Sequence, residues 1–129
     1  MSGLFLKIIK GEIPSYKVYE DENTFAFLDI NPAAKGHTLV IPKREIDLLW
    51  DLENEDYKAV MDSAKKIAIA IQKSVECKRV GMAVVGLEVP HAHVHLIPLN
   101  AMSDFSFSNK LQLSEEEFKS IQKRIVRNL

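Results

Sequence analysis

Residues 91–96 read His-Ala-His-Val-His-Leu, a polar ring at every second position and an apolar or small residue between. Side chains two apart share a face only in extended backbone; a helix would scatter the rings around its axis. The stretch is therefore expected to be a strand. His91, His93 and His95 would line one face about 6.6 Å apart from ring to ring along the strand. Ala92, Val94 and Leu96 would face a core. A strand with chemistry on one side and packing on the other needs a sheet, and something apolar to cover it.

The rest of the chain supplies both. Residues 16–20 and 24–29 alternate, with Asp21-Glu22-Asn23 as a turn between them, and predict a hairpin. "HTLVIP" (37–42) and "RVGMAVV" (79–85) read as further strands, with "HVHLIPL" (93–99) after them. The cover is residues 53–76, where Tyr57, Val60, Met61, Ala64, Ile67, Ala68, Ile71 and Val75 recur at steps of three and four. This predicts a long amphipathic helix capped by Asn54. Ile69 falls outside the stripe. Leu4–Lys10 predicts a short helix stopped by Gly11. Residues 114–129 open with a capping box, Ser114 and Glu117, and predict a C-terminal helix. Residues 101–109 read as a loop. The expected fold class is α+β: an antiparallel sheet of about five strands, one long helix, a short N-terminal helix and a C-terminal helix. One domain is expected over 1–129, its core at 4–99 and a C-terminal loop and helix at 100–129.

A chain of 129 residues with a net charge of −1 has no basic excess to hold nucleic acid or an anionic membrane. No apolar run approaches membrane-spanning length, and the N-terminus meets charge too early for a signal sequence. The single cysteine, Cys77, cannot form an internal disulfide and fits a reducing compartment. A cytoplasmic protein is expected.

Two chemistries suit the histidines. Neutral imidazole binds zinc, and His37 could add a fourth nitrogen. Three consecutive rungs of a straight strand, however, converge poorly on one tetrahedral centre. Imidazole is also a nucleophile at phosphorus. One ring attacks, a neighbouring acceptor fixes its tautomer, and flanking rings donate to the developing charge. His93 has a histidine on both sides and is the natural attacker. Covalent imidazole chemistry of this kind calls for no metal and no cofactor.

"HAHVHLI" fits the pattern His-φ-His-φ-His-φ-φ, with φ apolar. Together with "FLKIIKGEIP" (5–14), "AFLDINPAAKGHTLVIPK" (26–43) and "GLEVPHAHVHLIP" (86–98), it makes the chain resemble the histidine-triad (HIT) family, in its prokaryotic purine-nucleoside phosphoramidase-like branch. The resemblance runs over about residues 4–99. It implies a homodimer that binds purine nucleotides and acts at the α-phosphate through a nucleotidyl-histidine at His93. His95 would assist the leaving group, and His91 would orient His93 through its carbonyl oxygen. His37 would support the triad from the adjacent strand. Asp29 would hold the ribose hydroxyls; Phe5, Ile8, Ile13, Phe27 and Leu39 would form the slot for the base. The dimer surface would be helix 55–76 and strand 79–85, with Ile69 in it.

The chain departs from the family in the loop before the triad, which reads Gly86-Leu87-Glu88-Val89. Many relatives carry a glutamine at the second of these positions. Leu87 offers no amide donor to a phosphate, and Glu88 brings negative charge beside the substrate. Two other readings stand beside the phosphoramidase: a dinucleoside polyphosphate hydrolase of the same fold, and a nucleotide-binding dimeric module with little or no turnover.

Overall fold

The computed structural model describes residues 3–129. In chain order they form α1 (Leu4–Ile9), β1 (Lys17–Glu20), β2 (Thr24–Leu28), β3 (Thr38–Pro42), α2 (Asn54–Ser74), β4 (Arg79–Ala83), β5 (Val94–Leu99) and α3 (Glu115–Arg127). Short 3-10 turns lie at Leu49–Asp51 and Met102–Asp104. The strands form one antiparallel sheet in the order β1-β2-β3-β5-β4. The α+β class and the five-strand antiparallel sheet with its three helices are as the sequence predicts.

The first hairpin closes on Asp21, whose Oδ1 accepts the N–H of Asn23 at 2.9 Å and of Thr24 at 2.8 Å. The strands then divide their residues by parity. Ala26, Leu28, Val40, Val94 and Leu96 face α2 and α3 and join Val60, Ala64, Ile67, Ile71, Phe118, Ile121 and Ile125 in the main core. Phe25, Phe27, Leu39 and Ile41 point to the other face, where Phe5 of α1 completes a second cluster. Each fully buried aliphatic side chain contributes about 1.5–3 kcal/mol. The C-terminal helix is part of this core, and its capping box forms: Ser114 Oγ accepts the Glu117 N–H, and Glu117 accepts the Ser114 N–H, both at 3.1 Å.

Several expectations at the level of single residues need correction. Asn54 is the first helical residue of α2, and the cap position is Glu53, whose side chain makes no capping bond. The buried stripe of α2 is turned from the apolar reading. Asp56, Ser63, Ala70 and Ser74 are buried, while Tyr57 is exposed. The polar members reach partners that a periodicity argument does not see. Asp56 pairs with Arg44 at 3.2 Å. Ser74 Oγ donates to the Ala70 carbonyl at 2.6 Å and accepts from Asn128 Nδ2 at 2.9 Å. Strand β4 ends at Ala83, leaving Val84 and Val85 exposed. Ile69, which the sequence places outside the buried stripe, is half exposed in keeping with that reading.

Candidate active site

Strand β5 begins at Val94, so of the three alternating histidines only His95 lies on the ladder. His91 and His93 precede it. Pro90 brings the chain in. The His91 N–H then closes a tight turn onto the Val89 carbonyl at 2.9 Å, and the Ala92 N–H donates to the Ile46 carbonyl at 2.7 Å instead of to a strand. The alternation nevertheless survives the change of backbone. Ala92 and Val94 enter the main core, and the histidine rings stay on the opposite side. His95 stands opposite Leu39 of β3 and Ala83 of β4.

His37 arrives from the loop before β3. Gly36 turns the chain at φ +98, and a Cβ there would meet Val75 Cγ2 at 2.9 Å, so glycine is required both by the backbone and by space. The turn sets His37 Nε2 2.9 Å from His95 Nδ1. At its other nitrogen, His37 Nδ1 accepts the Ala33 N–H at 3.0 Å. The tautomers follow from these bonds. A nitrogen that accepts from an N–H carries no proton, so neutral His37 holds its proton on Nε2 and donates it to His95 Nδ1. His95 in turn keeps its own proton on Nε2.

His93 is fixed in the opposite sense. Its Nδ1 donates to the His91 carbonyl at 2.7 Å, which leaves the Nε2 lone pair free. The His93 and His95 ring centroids are 4.9 Å apart, so a ring with a free Nε2 lone pair neighbours a ring that carries its proton on Nε2. His91 donates from Nε2 to the Pro42 carbonyl at 2.7 Å, and its Nδ1 is buried without a partner among the described residues.

Burial sets the charge state. It drives His37 down from an ordinary 6.5 to about 3, with His95 as the next cause. It drives His95 down to about 4, with His93 next. His91 is lowered chiefly by burial, partly offset by its bond to Pro42. Near neutrality these three rings are uncharged. The carboxyl of Asp29 is raised, again by burial first, against the pull of the Asn31 N–H that its Oδ1 accepts at 2.8 Å. Its Oδ2 lies 3.6 Å from His37 Nε2. Asp29, His37 and His95 place one ligand atom each within 4.8 Å of one another. A cation there would need the His37 Nε2 lone pair. The bond from Ala33 reserves that nitrogen for the proton, so His37 and His95 are built as a hydrogen-bonded pair with the Asp29 carboxyl beside it.

The apolar residues assigned to the base slot divide. Phe5, Phe27 and Leu39 are buried together, with Ile8 packed against them. Phe5 stands 5.6 Å from Phe27 and 5.2 Å from His93, edge to face in both cases. Ile13 is half-buried and not part of that cluster. Glu88 is exposed, yet its charge reaches Asp29, whose pKa it raises.

Two residues of the 101–109 loop and its continuation were not singled out by the sequence. The Phe107 ring lies 4.8 Å from that of His95 and 6.3 Å from that of His37, edge to face. Lys110 Nζ sits 5.6 Å from the centroid of Phe107. The available signal was Phe105 and Phe107 alternating inside an otherwise polar run, two rings that a plain surface loop has no use for.

The sequence matches the HIT domain over residues 10–102. An uncharacterized HIT-like protein of Borreliella burgdorferi is 40% identical over 135 residues, covering 98% of this chain and 97% of that protein. An adenosine 5'-monophosphoramidase of Saccharomyces cerevisiae is 42% identical over 96 residues, covering 74% of this chain and 61% of that enzyme. Among solved structures, a Hit-like protein involved in cell-cycle regulation from Bartonella henselae superposes with a TM-score of 0.87 at 34% identity, covering 98% of this chain and 95% of the other. The chain belongs to the histidine-triad family, and its histidine cluster is of a kind compatible with nucleotidyl-histidine chemistry. No helix among the described residues is long and apolar enough to cross a membrane.

Proposed function

We propose that the protein is a purine nucleotide hydrolase or nucleotidyl transferase of the phosphoramidase type, acting as one domain over 1–129. The observation that carries this reading is the bond from His93 Nδ1 to the His91 carbonyl, 2.7 Å long, which leaves Nε2 as a free nucleophile on a ring that neighbours His95. The purine lies against Phe5, Phe27 and Leu39, and Asp29 accepts from the ribose hydroxyls. The His93 Nε2 lone pair attacks the α-phosphorus. The bond from phosphorus to the leaving nitrogen breaks, and that nitrogen, already protonated from solvent, departs as a neutral amine. The His95 Nε2–H steadies the departing electron pair by a hydrogen bond. Water then attacks the nucleotidyl-histidine, releases the nucleoside monophosphate and one proton, and restores His93 to its starting tautomer. The activity named for the yeast relative supports the same substrate class. The test is the ratio of kcat/KM for an adenosine 5'-phosphoramidate to that for a diadenosine polyphosphate. A ratio above one is expected; a ratio far below one favours the polyphosphate hydrolase, and no turnover of either favours the binding module.

The loop before the triad bears on that ratio. Glu88 repels added phosphate charge and can accept a hydrogen bond from a leaving amine. Leu87→Gln with Glu88→Ser supplies an amide donor and removes one negative charge. The double variant is expected to shift kcat/KM toward the polyphosphate by about tenfold, the scale of one charge interaction in partly screened surroundings. An unchanged ratio would show that this loop does not select the leaving group.

The assembly we propose is a homodimer through α2 and β4, with the half-exposed Ile69 and the exposed Met82 in the contact. An isologous pair would cover this apolar edge. Sedimentation at micromolar concentration is expected to give a dimer, and Ile69→Glu to weaken it; a native monomer would remove the claim.

A further inference from the structure

The site contains an imbalance of charge. Its ligand, on the reading above, is an anion, yet two of the rings at the site, His37 and His95, are uncharged, and Asp29 and Glu88 are carboxylates. Burial keeps His37 and His95 neutral at pH 7. One lysine stands against this. The charge of Lys110 is felt at Asp29, at His37 and at His95. Lys110 belongs to none of the ion pairs among the described residues.

Its position is held by packing. The ring centroids of Phe5, His93, His95 and Phe107 form a row, with successive separations of 5.2, 4.9 and 4.8 Å. Phe5 ends the row on the base side and Phe107 on the other. Lys110 Nζ lies 5.6 Å from the Phe107 centroid. The segment that carries both is tied at each end. Asp104 accepts the N–H groups of Asn100 and Ala101 at 2.8 and 3.0 Å. The Leu111 N–H donates to the Pro32 carbonyl at 2.8 Å, joining the segment to the loop that bears Asp29 and His37.

We infer that Lys110, set against Phe107 at the His95 end of the ring row, is the side chain that receives the phosphate charge of the substrate, with Phe107 as its positioning residue. The inference rests on the nucleotide reading of the site. It assigns to the C-terminal segment the donor that Leu87 in the loop before the triad does not supply. An ammonium bound to a phosphate oxygen through a charge-assisted hydrogen bond contributes more than a neutral donor.

The experiment measures binding of AMP and of adenosine, by calorimetry, to the native protein and to Lys110→Met, Lys110→Arg and Phe107→Leu. The native protein is expected to prefer AMP. Lys110→Met should weaken AMP about tenfold and leave adenosine within about twofold, a charge-assisted bond being lost while the base and ribose contacts stay. Lys110→Arg should keep most of the preference, and Phe107→Leu should lose part of it. Thermal unfolding of each variant reports whether it is folded. Equal losses for AMP and adenosine in Lys110→Met would mean that the lysine only holds the segment, and would overturn the inference. A native protein that binds adenosine and AMP equally well would overturn it too, with the nucleoside reading intact. A native protein that binds neither would overturn the nucleotide reading, and this inference with it.

Discussion

Replacing His93 with alanine is expected to lower kcat/KM for an adenosine phosphoramidate by about 10⁴-fold or more, while AMP binding stays within a few-fold of native. The size follows from what is removed. Without the Nε2 lone pair there is no covalent path, and water must attack phosphorus directly; loss of a nucleophile costs on the order of 10⁴–10⁶ in rate in enzymes that depend on one. Binding is spared because the attacking ring acts mainly in the transition state. Ground-state affinity for AMP is assigned to the proposed slot of Phe5, Phe27 and Leu39, to Asp29 and to Lys110. The fold should also tolerate the change, since the single bond of His93 Nδ1 is to a carbonyl in its own loop. His95→Ala should cost less, because its N–H assists a bond that can still break. Steady-state kinetics with calorimetry separates the two effects; native turnover in His93→Ala would refute covalent catalysis.

The second large effect is on stability in acid. His37 and His95 titrate at about 3 and about 4 in the folded protein, against 6.5 for an exposed ring. Below pH 6.5 the unfolded chain takes up protons at these positions that the folded chain refuses. The unfolded state then binds more protons, so stability is fully present above 6.5 and falls as pH drops toward 4. The loss should flatten only near 3, where the folded rings titrate as well. Asp29 works the other way. Its carboxyl, raised chiefly by burial, takes up a proton in the folded state before the unfolded chain does, which offsets part of the loss as pH falls. The net decline between pH 7 and 4 is expected to be on the order of several kcal/mol. Urea midpoints across that range measure it. His37→Gln, which can accept from Ala33 and donate to His95 without titrating, should make the slope shallower. A stability that does not change between pH 7 and 4.5 would contradict the assignment of both rings as buried and neutral.

Much of this architecture was legible in the sequence, because it rests on local periodicity. Alternation in residues 24–28 separated Phe25 and Phe27 from Ala26 and Leu28, and the sheet places those pairs in different clusters. The order of elements and the capping box of α3 were readable for the same reason. What sequence could not supply was anything decided by partners far away in the chain. Asp56 and Ser74 are buried in α2 because Arg44 and Asn128 reach them, which rotates the stripe away from Tyr57. His91 and His93 leave the ladder because Ala92 bonds to Ile46.

The site divides in the same way. A cluster around the alternating histidines could be anticipated from their spacing. The tautomers could not, because they depend on Ala33 and on the His91 carbonyl. Phe107 left only the trace of two alternating rings, and Lys110 none, because Phe107 is placed by its contact with His95 and Lys110 by its contact with Phe107, in a loop that has no helical or strand periodicity.

The most direct test of the central claim is intact-protein mass spectrometry of rapidly quenched mixtures with an adenosine phosphoramidate. A transient mass increase of one adenylyl group per chain is expected, mapped to His93 by peptide fragmentation, decaying as AMP appears and absent from His93→Ala. Steady turnover with no adduct at any quench time, or an adduct that maps to His91, His95 or His37, would contradict it.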